Sequence, residues 1–146
     1  MFCKNTIILY IVKNLSKAAS YESIKNFVKE DLKIVENLLL QSVHGDIKLI
    51  DNVANNIFSS GGKRIRPILN ILSGKIFGYQ EKELYYLATA VELIHTATLL
   101  HDDVIDDSEA RRGNKTANKV YGSKASILVG DFLFAESFKY MVKANS

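Results

Sequence analysis

Four aspartates lie within six positions at the end of a strongly apolar run, and two arginines follow them. Residues 101–107 are His-Asp-Asp-Val-Ile-Asp-Asp, and residues 111–113 are Arg-Arg-Gly. On a helix, residues three or four apart share a face, so Asp102, Asp103 and Asp106 would bring three carboxylates together. Carboxylates this close repel one another, and a divalent cation would neutralise them. The segment therefore predicts a site for metal ions and a polyphosphate.

Two other interpretations of these carboxylates stay open. A solvated acidic helix end would account for them without any ligand, and taken alone it is about as good an explanation. A calcium loop is less favoured, because it needs alternating oxygen ligands and a central glycine, and Val104 and Ile105 interrupt that pattern. Mg²⁺ suits the segment better, since it takes few protein carboxylates and keeps positions for water and phosphate oxygens.

A glycine-rich basic segment, Gly-Gly-Lys-Arg-Ile-Arg-Pro over residues 61–67, is the second candidate. Its glycines permit a tight turn into a helix N-terminus, where free N–H groups favour an anion. Lys63 and Arg66 can face the same anion. All four arginines of the chain fall in this segment or at positions 111–112, which suggests bidentate phosphate clamps. A turn carrying solvated basic residues is the alternative, and the spacing excludes a Walker phosphate loop.

A histidine connects the two segments. His95 precedes Asp102 by two helical turns, so it lies on nearly the same face, about 10 Å away along the axis. Alone, a histidine among apolar residues is usually a satisfied core residue, and Arg111 and Arg112 would be a surface pair. Together the residues indicate one cavity with a metal-binding wall and a basic wall. Such a cavity would hold two phosphorylated ligands.

The elements that would position these residues are helical. Apolar positions with a helical period predict helices over residues 22–41, 47–59, 64–77, 81–106 and 123–142, with a polar loop over residues 107–115. Residues 84–100 are apolar almost all round, which indicates a helix enclosed by other helices. That stretch is slightly short for a bilayer and carries Glu92 and His95, so we expect no transmembrane segment. One Pro and eight Gly also favour an all-α fold.

Composition is typical of one soluble globular domain, with 146 residues, 47% hydrophobic and 24% charged. A net charge of +3 is too weak to imply nucleic acid. The single cysteine, Cys3, gives no disulfide framework and favours a cytoplasmic location. The apolar residues 6–12 resemble a leader peptide only weakly, and we expect an ordinary helix or a loosely attached extension there.

The motifs, in this order and spacing, resemble those of the trans-isoprenyl diphosphate synthases. The similarity rests on Gly-Gly-Lys-Arg-Ile-Arg-Pro at 61–67, Glu-Leu-Ile-His at 92–95, Leu-Leu-His-Asp-Asp-Val-Ile-Asp at 99–106, Arg-Arg-Gly at 111–113 and Gly-Asp-Phe-Leu at 130–133. It covers roughly residues 22–142 and leaves residues 1–21 as an N-terminal extension.

The resemblance implies the helical bundle of the isoprenoid synthases around a deep cavity. It further implies that the enzyme condenses isopentenyl diphosphate with an allylic diphosphate, such as farnesyl diphosphate. The roles it implies are Mg²⁺ binding and catalysis for Asp102, Asp103 and Asp106, allylic diphosphate binding for Arg111, and isopentenyl diphosphate binding for Lys63, Arg66, His95 and Arg112.

In that family, product length depends on the residues just before the aspartates. Here these are Ala97 and Thr98, and neither is aromatic. The resemblance therefore implies a long-chain product of the octaprenyl type, a precursor of a quinone side chain.

The family also has a second aspartate-rich motif, which this chain lacks. After Asp107 the acidic residues are Glu109, Asp131 and Glu136. We therefore expect residues 22–146 to be the N-terminal half of a synthase, inactive alone and associated with a C-terminal half or with further copies. The alternatives are a non-catalytic helical subunit that docks on a complete synthase, and a plain metal-binding helical domain.

Overall fold

The computed structural model describes residues 20–45, 47–59, 61–79 and 81–144. These residues form the helices α1 (Tyr21–Phe27), α2 (Lys29–Val43), α3 (Lys48–Ser59), α4 (Ile65–Ile76), α5 (Lys82–Ile105), α6 (Ala117–Tyr121) and α7 (Ser123–Ala144), with the strands β1 (Ala110–Arg111) and β2 (Asn114–Lys115) between α5 and α6. The predicted all-α class is confirmed. The possible helix at 6–12, most of the N-terminal extension and Cys3 lie outside the described residues.

The long helix α5 is the centre of the fold. It packs most extensively against α7 and also against α4 and α2. Leu93 and Leu100 are completely buried in these interfaces, and Ala97 is 1% exposed. The same helix leaves Leu87 40% exposed and Ile105 80% exposed on another face. The prediction of an enclosed helix therefore holds for one side of α5, while its other side is open.

The observed boundaries of the helices match the predictions from sequence at two positions and differ from them at two others. Gly78, with φ 73°, ends α4 as predicted, and its neighbour Tyr79 donates its N–H to the carbonyl of Gly74 at 2.9 Å. Pro67 lies in the first turn of α4, as predicted. The helix expected over 22–41 is interrupted at Val28, the residue between α1 and α2. The loop expected over 107–115 contains the hairpin β1–β2.

A buried polar cluster joins α2, α4 and α5. The carboxylate of Asp31 accepts a hydrogen bond from the hydroxyl of Tyr85 at 2.9 Å and lies 3.1 Å from the ammonium of Lys75. Burial is the main cause that raises the pKa of Tyr85, and the Asp31 carboxylate adds to it. Because α4 follows the basic segment and α5 carries the aspartates, this cluster fixes two site-bearing helices to the same partner helix.

Among the described helices, none is both long enough and apolar enough to cross a bilayer.

Close packing of α4 on α5 gives the first testable prediction. A Cβ atom on Gly74 would lie 2.5 Å from Cδ1 of the buried Leu84. We expect Gly74→Ala to lower the free energy of unfolding by about 1–3 kcal/mol, because overpacking forces the helices apart. Thermal or urea unfolding measures this. Gly45→Ala is the control, since its Cβ would meet nothing within 4 Å, and equal stability of the two variants would contradict the packing.

Candidate active site

The basic segment turns sharply between α3 and α4. Gly61 has φ 68° and Arg64, the residue before α4, has φ 48°. A Cβ atom on Gly62 would lie 2.9 Å from Nη1 of Arg112 and 3.4 Å from Nη1 of Arg64. The two glycines therefore serve different purposes. Gly61 adopts a left-handed conformation, and Gly62 leaves room for two guanidinium groups.

The side chains of this segment point in two directions. Lys63 and Arg66 are exposed. Arg64 turns inward, where its Nη1 lies 3.0 Å from Oε1 of the buried Glu92 and its Nη2 donates to the carbonyl of Phe58 at 3.1 Å. Sequence reasoning noted Glu92 as a polar interruption of an apolar helix and as part of the Glu-Leu-Ile-His motif, but gave it no partner. An acid inside such a helix was the available signal that a basic partner must reach it.

A basic pocket forms where α5 passes the segment. Its lining includes four of the predicted residues, Lys63, Arg66, His95 and Arg112, together with Gly62, Thr96 and Leu99. The structure thus brings together all four residues that the resemblance connected with isopentenyl diphosphate. Cations converge there from a loop, from α4 and from the hairpin.

The surroundings of His95 in this pocket favour its neutral imidazole, because they lower its pKa. Burial lowers the pKa of its imidazole below the ordinary value of 6.5, and the charges of Arg66, Arg112 and Arg111 lower it further, while Glu92 opposes them. A neutral imidazole can donate one hydrogen bond to an anion. A bound diphosphate would offset the surrounding positive charge and favour protonation.

The second arginine pair is placed by a hairpin. Ala110 pairs with Lys115 and Arg111 with Asn114, so Arg112 and Gly113 form the two-residue turn. Their φ values are 54° and 83°, as a type I′ turn requires. Arg112 donates from Nη1 to the carbonyl of Gly61 and so connects the hairpin with the basic segment.

Asp103 and Arg111 form a bidentate ion pair. Nε of Arg111 lies 3.1 Å from each carboxylate oxygen of Asp103, and Nη2 lies 2.8 Å from Oδ1. The Asp103 side chain is 3% exposed and that of Arg111 is 39% exposed. Asn118 of α6 adds a hydrogen bond from its amide to the Asp103 carbonyl at 3.1 Å. The second aspartate of the motif therefore points inward, toward the hairpin.

Asp102 and Asp106 are exposed instead. They are one helical turn apart, since the N–H of Asp106 donates to the carbonyl of Asp102 at 2.8 Å. Across the described parts of the chain, no three His, Cys, Asp or Glu side chains converge as a metal site. The structure brings together two of the three predicted carboxylates on the surface of α5 and pairs the third with Arg111.

A second small cavity adjoins the basic pocket. Asp103, Arg111 and Lys115 line it, and it shares Arg112, Leu99 and Ile57 with the basic pocket. Arg112 is therefore in the walls of both cavities. Sequence reasoning missed Lys115, because the pairing of β2 with β1 brings it beside the ion pair and no motif marks it.

The two predicted chain-length positions differ in their surroundings. Ala97 faces the packed interior, at 1% exposure. Thr98 is exposed and lies one helical turn before Asp102, on the open side of α5.

Comparison with known proteins gives consistent matches. A family model described as polyprenyl synthetase matches residues 47–146. Octaprenyl diphosphate synthase of Escherichia coli (strain K12) is 42% identical over 125 residues, which are 86% of this chain and 39% of that protein. Heptaprenyl diphosphate synthase component 2 of Bacillus subtilis (strain 168) is 37% identical over 120 residues, which are 82% of this chain and 34% of that protein.

Solved structures agree with these matches. A decaprenyl diphosphate synthase from Rhodobacter capsulatus matches with a TM-score of 0.84 and 39% identity, over 87% of this chain and 39% of that one. A polyprenyl synthase from Caulobacter crescentus CB15, complexed with calcium and isoprenyl diphosphate, matches with a TM-score of 0.85 and 40% identity, over 89% of this chain and 40% of that one. The chain spans about two fifths of the length of these relatives.

The different surroundings of the aspartates predict different stability effects. We expect Asp103→Asn to lower the free energy of unfolding by about 1–3 kcal/mol, because the Arg111 guanidinium loses its buried partner. Asp102→Asn, at an exposed position, should change it by less than about 0.5 kcal/mol. Urea denaturation of both variants measures the difference. A larger loss for Asp102→Asn would contradict the inward orientation of Asp103.

Proposed function

Because this chain belongs to the polyprenyl synthetase family, we propose that it builds the substrate-binding half of a prenyltransferase active site. The reaction is the condensation of isopentenyl diphosphate with an allylic diphosphate to a long-chain all-trans polyprenyl diphosphate. The observation that carries this proposal is the pair of adjoining cavities that share Arg112, one lined by Lys63, Arg66 and His95, the other by Arg111 and Lys115. Two neighbouring anion sites suit two diphosphate substrates.

The basic pocket is the proposed site for isopentenyl diphosphate. Lys63 reaches it from the segment before α4, Arg66 from the first turn of α4 and Arg112 from the hairpin. Arginine supplies bidentate hydrogen bonds to phosphate oxygens, and lysine supplies a point charge. The neutral His95 adds a hydrogen-bond donor. These contacts orient the homoallylic double bond without taking part in the bond changes.

The open side of α5 is the proposed site for the allylic substrate and Mg²⁺. Asp102 and Asp106 fit the metal, because they present two exposed carboxylates at the C-terminal end of a helix, where the helix dipole favours a cation. When bound, the metal stabilises negative charge on the departing diphosphate. Asp103 holds Arg111 in the wall of the second cavity. Its carboxylate would reach the metal only by releasing that guanidinium.

The chemistry then follows from this placement. The allylic carbon–oxygen bond breaks and its electron pair leaves with the diphosphate, which Arg111 binds. The double bond of isopentenyl diphosphate attacks the resulting carbocation and a carbon–carbon bond forms. The released diphosphate then accepts a proton from the condensed product, which restores a double bond. The apolar surface of α5 below Asp102, which includes the exposed Leu87, forms one wall for the growing chain, and it excludes water from the cation together with the rest of the cavity.

The length of the relatives supports a divided active site. Since the chain spans about two fifths of their length, we propose that the rest of the cavity comes from a further part of the protein or from an associated chain. The exposed apolar side of α5 suits such a partner. We also propose a cytoplasmic location.

The proposed site predicts binding of diphosphate together with Mg²⁺. We expect calorimetry to detect farnesyl diphosphate binding to this chain that strengthens when Mg²⁺ is added. Asp102→Asn and Asp106→Asn should each reduce the Mg²⁺-dependent gain at least about tenfold, or roughly 1.4 kcal/mol. Glu30→Gln is the charge-matched control, because it also removes one exposed carboxylate, here from the ion pair of Glu30 with Lys33 on α2.

The same chain should give no elongation of farnesyl diphosphate with isopentenyl diphosphate and Mg²⁺. Robust turnover by these 146 residues alone would refute the divided site. Binding that is indifferent to diphosphate would favour a plain metal-binding domain. Stimulation of an already complete synthase would favour the non-catalytic subunit.

Product length should depend on Thr98. In an elongating assembly that contains this chain, we expect Thr98→Phe to shorten the product, because an aromatic ring would project from the open side of α5 into the path of the growing chain. Chromatography of the dephosphorylated products measures this. Thr98→Val, of nearly equal size, is the control. Ala97→Phe is a poorer test, because Ala97 is buried in the core. An unchanged product length in Thr98→Phe would contradict the proposed path of the chain.

A further inference from the structure

Arg64 differs from the other basic residues of its segment. Its side chain is 14% exposed, whereas Lys63 and Arg66 are exposed. Its guanidinium lies against three helices, through Glu92 of α5 at 3.0 Å, the carbonyl of Phe58 of α3 at 3.1 Å and Glu36 of α2 at 4.0 Å. Arg64 is also among the residues that line the basic pocket, but its Nη1, Nη2 and Nε are directed to these three partners and not to the space where a substrate would bind.

The backbone at Arg64 depends on these contacts. Its φ of 48° is a conformation that L-residues other than glycine and asparagine adopt at a cost. It also stands directly before α4 without a side-chain cap on that helix. Strain of this kind persists only where surrounding interactions hold it. Here the ion pair with the buried Glu92 and the hydrogen bond to the Phe58 carbonyl are the side-chain interactions that hold it.

The segment around Arg64 is tied at several points. The hydroxyl of Tyr21 donates to the Lys63 carbonyl at 2.7 Å, and Arg112 donates to the Gly61 carbonyl. These contacts restrain the backbone from outside, whereas Arg64 anchors it to the interior. Anchoring Arg64 leaves its neighbours Lys63 and Arg66 directed to the pocket.

The position of Glu92 connects this anchor to the pocket. Glu92 is 5% exposed and lies one helical turn before His95 and Thr96, and all three line the pocket. An unpaired carboxylate there would be costly to bury and would repel a diphosphate. Arg64 neutralises it without adding net positive charge at the floor of the pocket.

We propose that Arg64 is a positioning residue, which contacts no substrate and acts by holding Lys63 and Arg66 against His95 through its ion pair with Glu92. This inference rests on the proposed function, because it assigns the basic pocket to a diphosphate. It goes further in dividing the two arginines of the segment into one that anchors and one that binds.

The experiment compares two variants of this chain. Glu92→Gln removes the buried charge and leaves an amide oxygen that can still accept from Arg64. The double variant Arg64→Gly, Glu92→Gln removes the anchor, and glycine adopts the left-handed φ freely, so neither variant buries an unpaired carboxylate. The probe is inorganic pyrophosphate, measured by calorimetry. The double variant should bind it at least fivefold more weakly than Glu92→Gln does.

The imidazole of His95 reports the same change without a ligand. The charged groups that act on it are Glu92 on its own helix, Arg66 on α4, and Arg111 and Arg112 on the hairpin. If Arg64 holds Arg66 in place, its removal moves a positive charge away. The NMR titration of His95 should then give a higher pKa in the double variant than in Glu92→Gln.

A control separates positioning from stability. Leu133→Ala truncates a fully buried side chain of α7 that lines neither cavity, and it should lower the melting temperature while pyrophosphate affinity stays at the wild-type value. Equal pyrophosphate affinity and equal His95 pKa in the two Arg64 variants would overturn the proposal, whatever their melting temperatures. If the wild-type chain binds no pyrophosphate, the proposed function fails, and the His95 titration still decides the role of Arg64.

Discussion

Two carboxylates buried on one apolar helix are the constraint on which the site depends. Glu92 and Asp103 lie on α5, at 5% and 2% exposure, where an unpaired charge would cost several kcal/mol. Each is neutralised by an arginine from a neighbouring loop, Glu92 by Arg64 and Asp103 by Arg111. These ion pairs attach the basic segment and the hairpin to the helix that carries the aspartates. The distance between the two carboxylates along α5 thus sets the spacing of the two loops.

The four arginines of the chain consequently divide into two kinds. In each pair of arginines, the first turns inward to a carboxylate of α5 and the second faces a cavity. Arg64 and Arg111 are the inward members, and Arg66 and Arg112 line the basic pocket. Arg64 and Arg111 each combine both functions, because Arg64 also lines the basic pocket while it holds Glu92, and Arg111 lines the second cavity while it holds Asp103. This division explains how a cationic site stays ordered, since each exposed guanidinium is one or two residues from an anchored one.

Backbone strain is concentrated at the same place. Within the described residues, the non-glycine positions with positive φ are Arg64, Asp107 and Arg112. All three lie in the two loops, and each has an ionic or hydrogen-bonded side-chain contact, which for Asp107 is Lys119 at 2.6 Å. Such conformations persist where surrounding contacts impose them. The hairpin turn accounts for the φ of Arg112 and the end of α5 for that of Asp107, whereas the φ of Arg64 accompanies an ion pair with the interior of the bundle.

The sequence by itself determined the helical class, the approximate helices and the residue types of the site. Periodicity is a local property, and motifs state which residues occur at which spacing. It also gave the set Lys63, Arg66, His95 and Arg112, which the fold brings into one pocket.

Only the tertiary structure decided which way each charged side chain points. Helical spacing places Asp102, Asp103 and Asp106 near one another, yet the second is buried, with contacts to Arg111 of the hairpin and Asn118 of α6, while the others are exposed. Spacing likewise pairs Lys63 with Arg66 but does not say where Arg64 points, and its buried partner Glu92 became apparent only in the fold. The physical reason is that neighbours in space decide whether a charged side chain faces solvent, pairs with another side chain or is free to bind a ligand. For these residues the partner is 8 or 28 positions away along the chain.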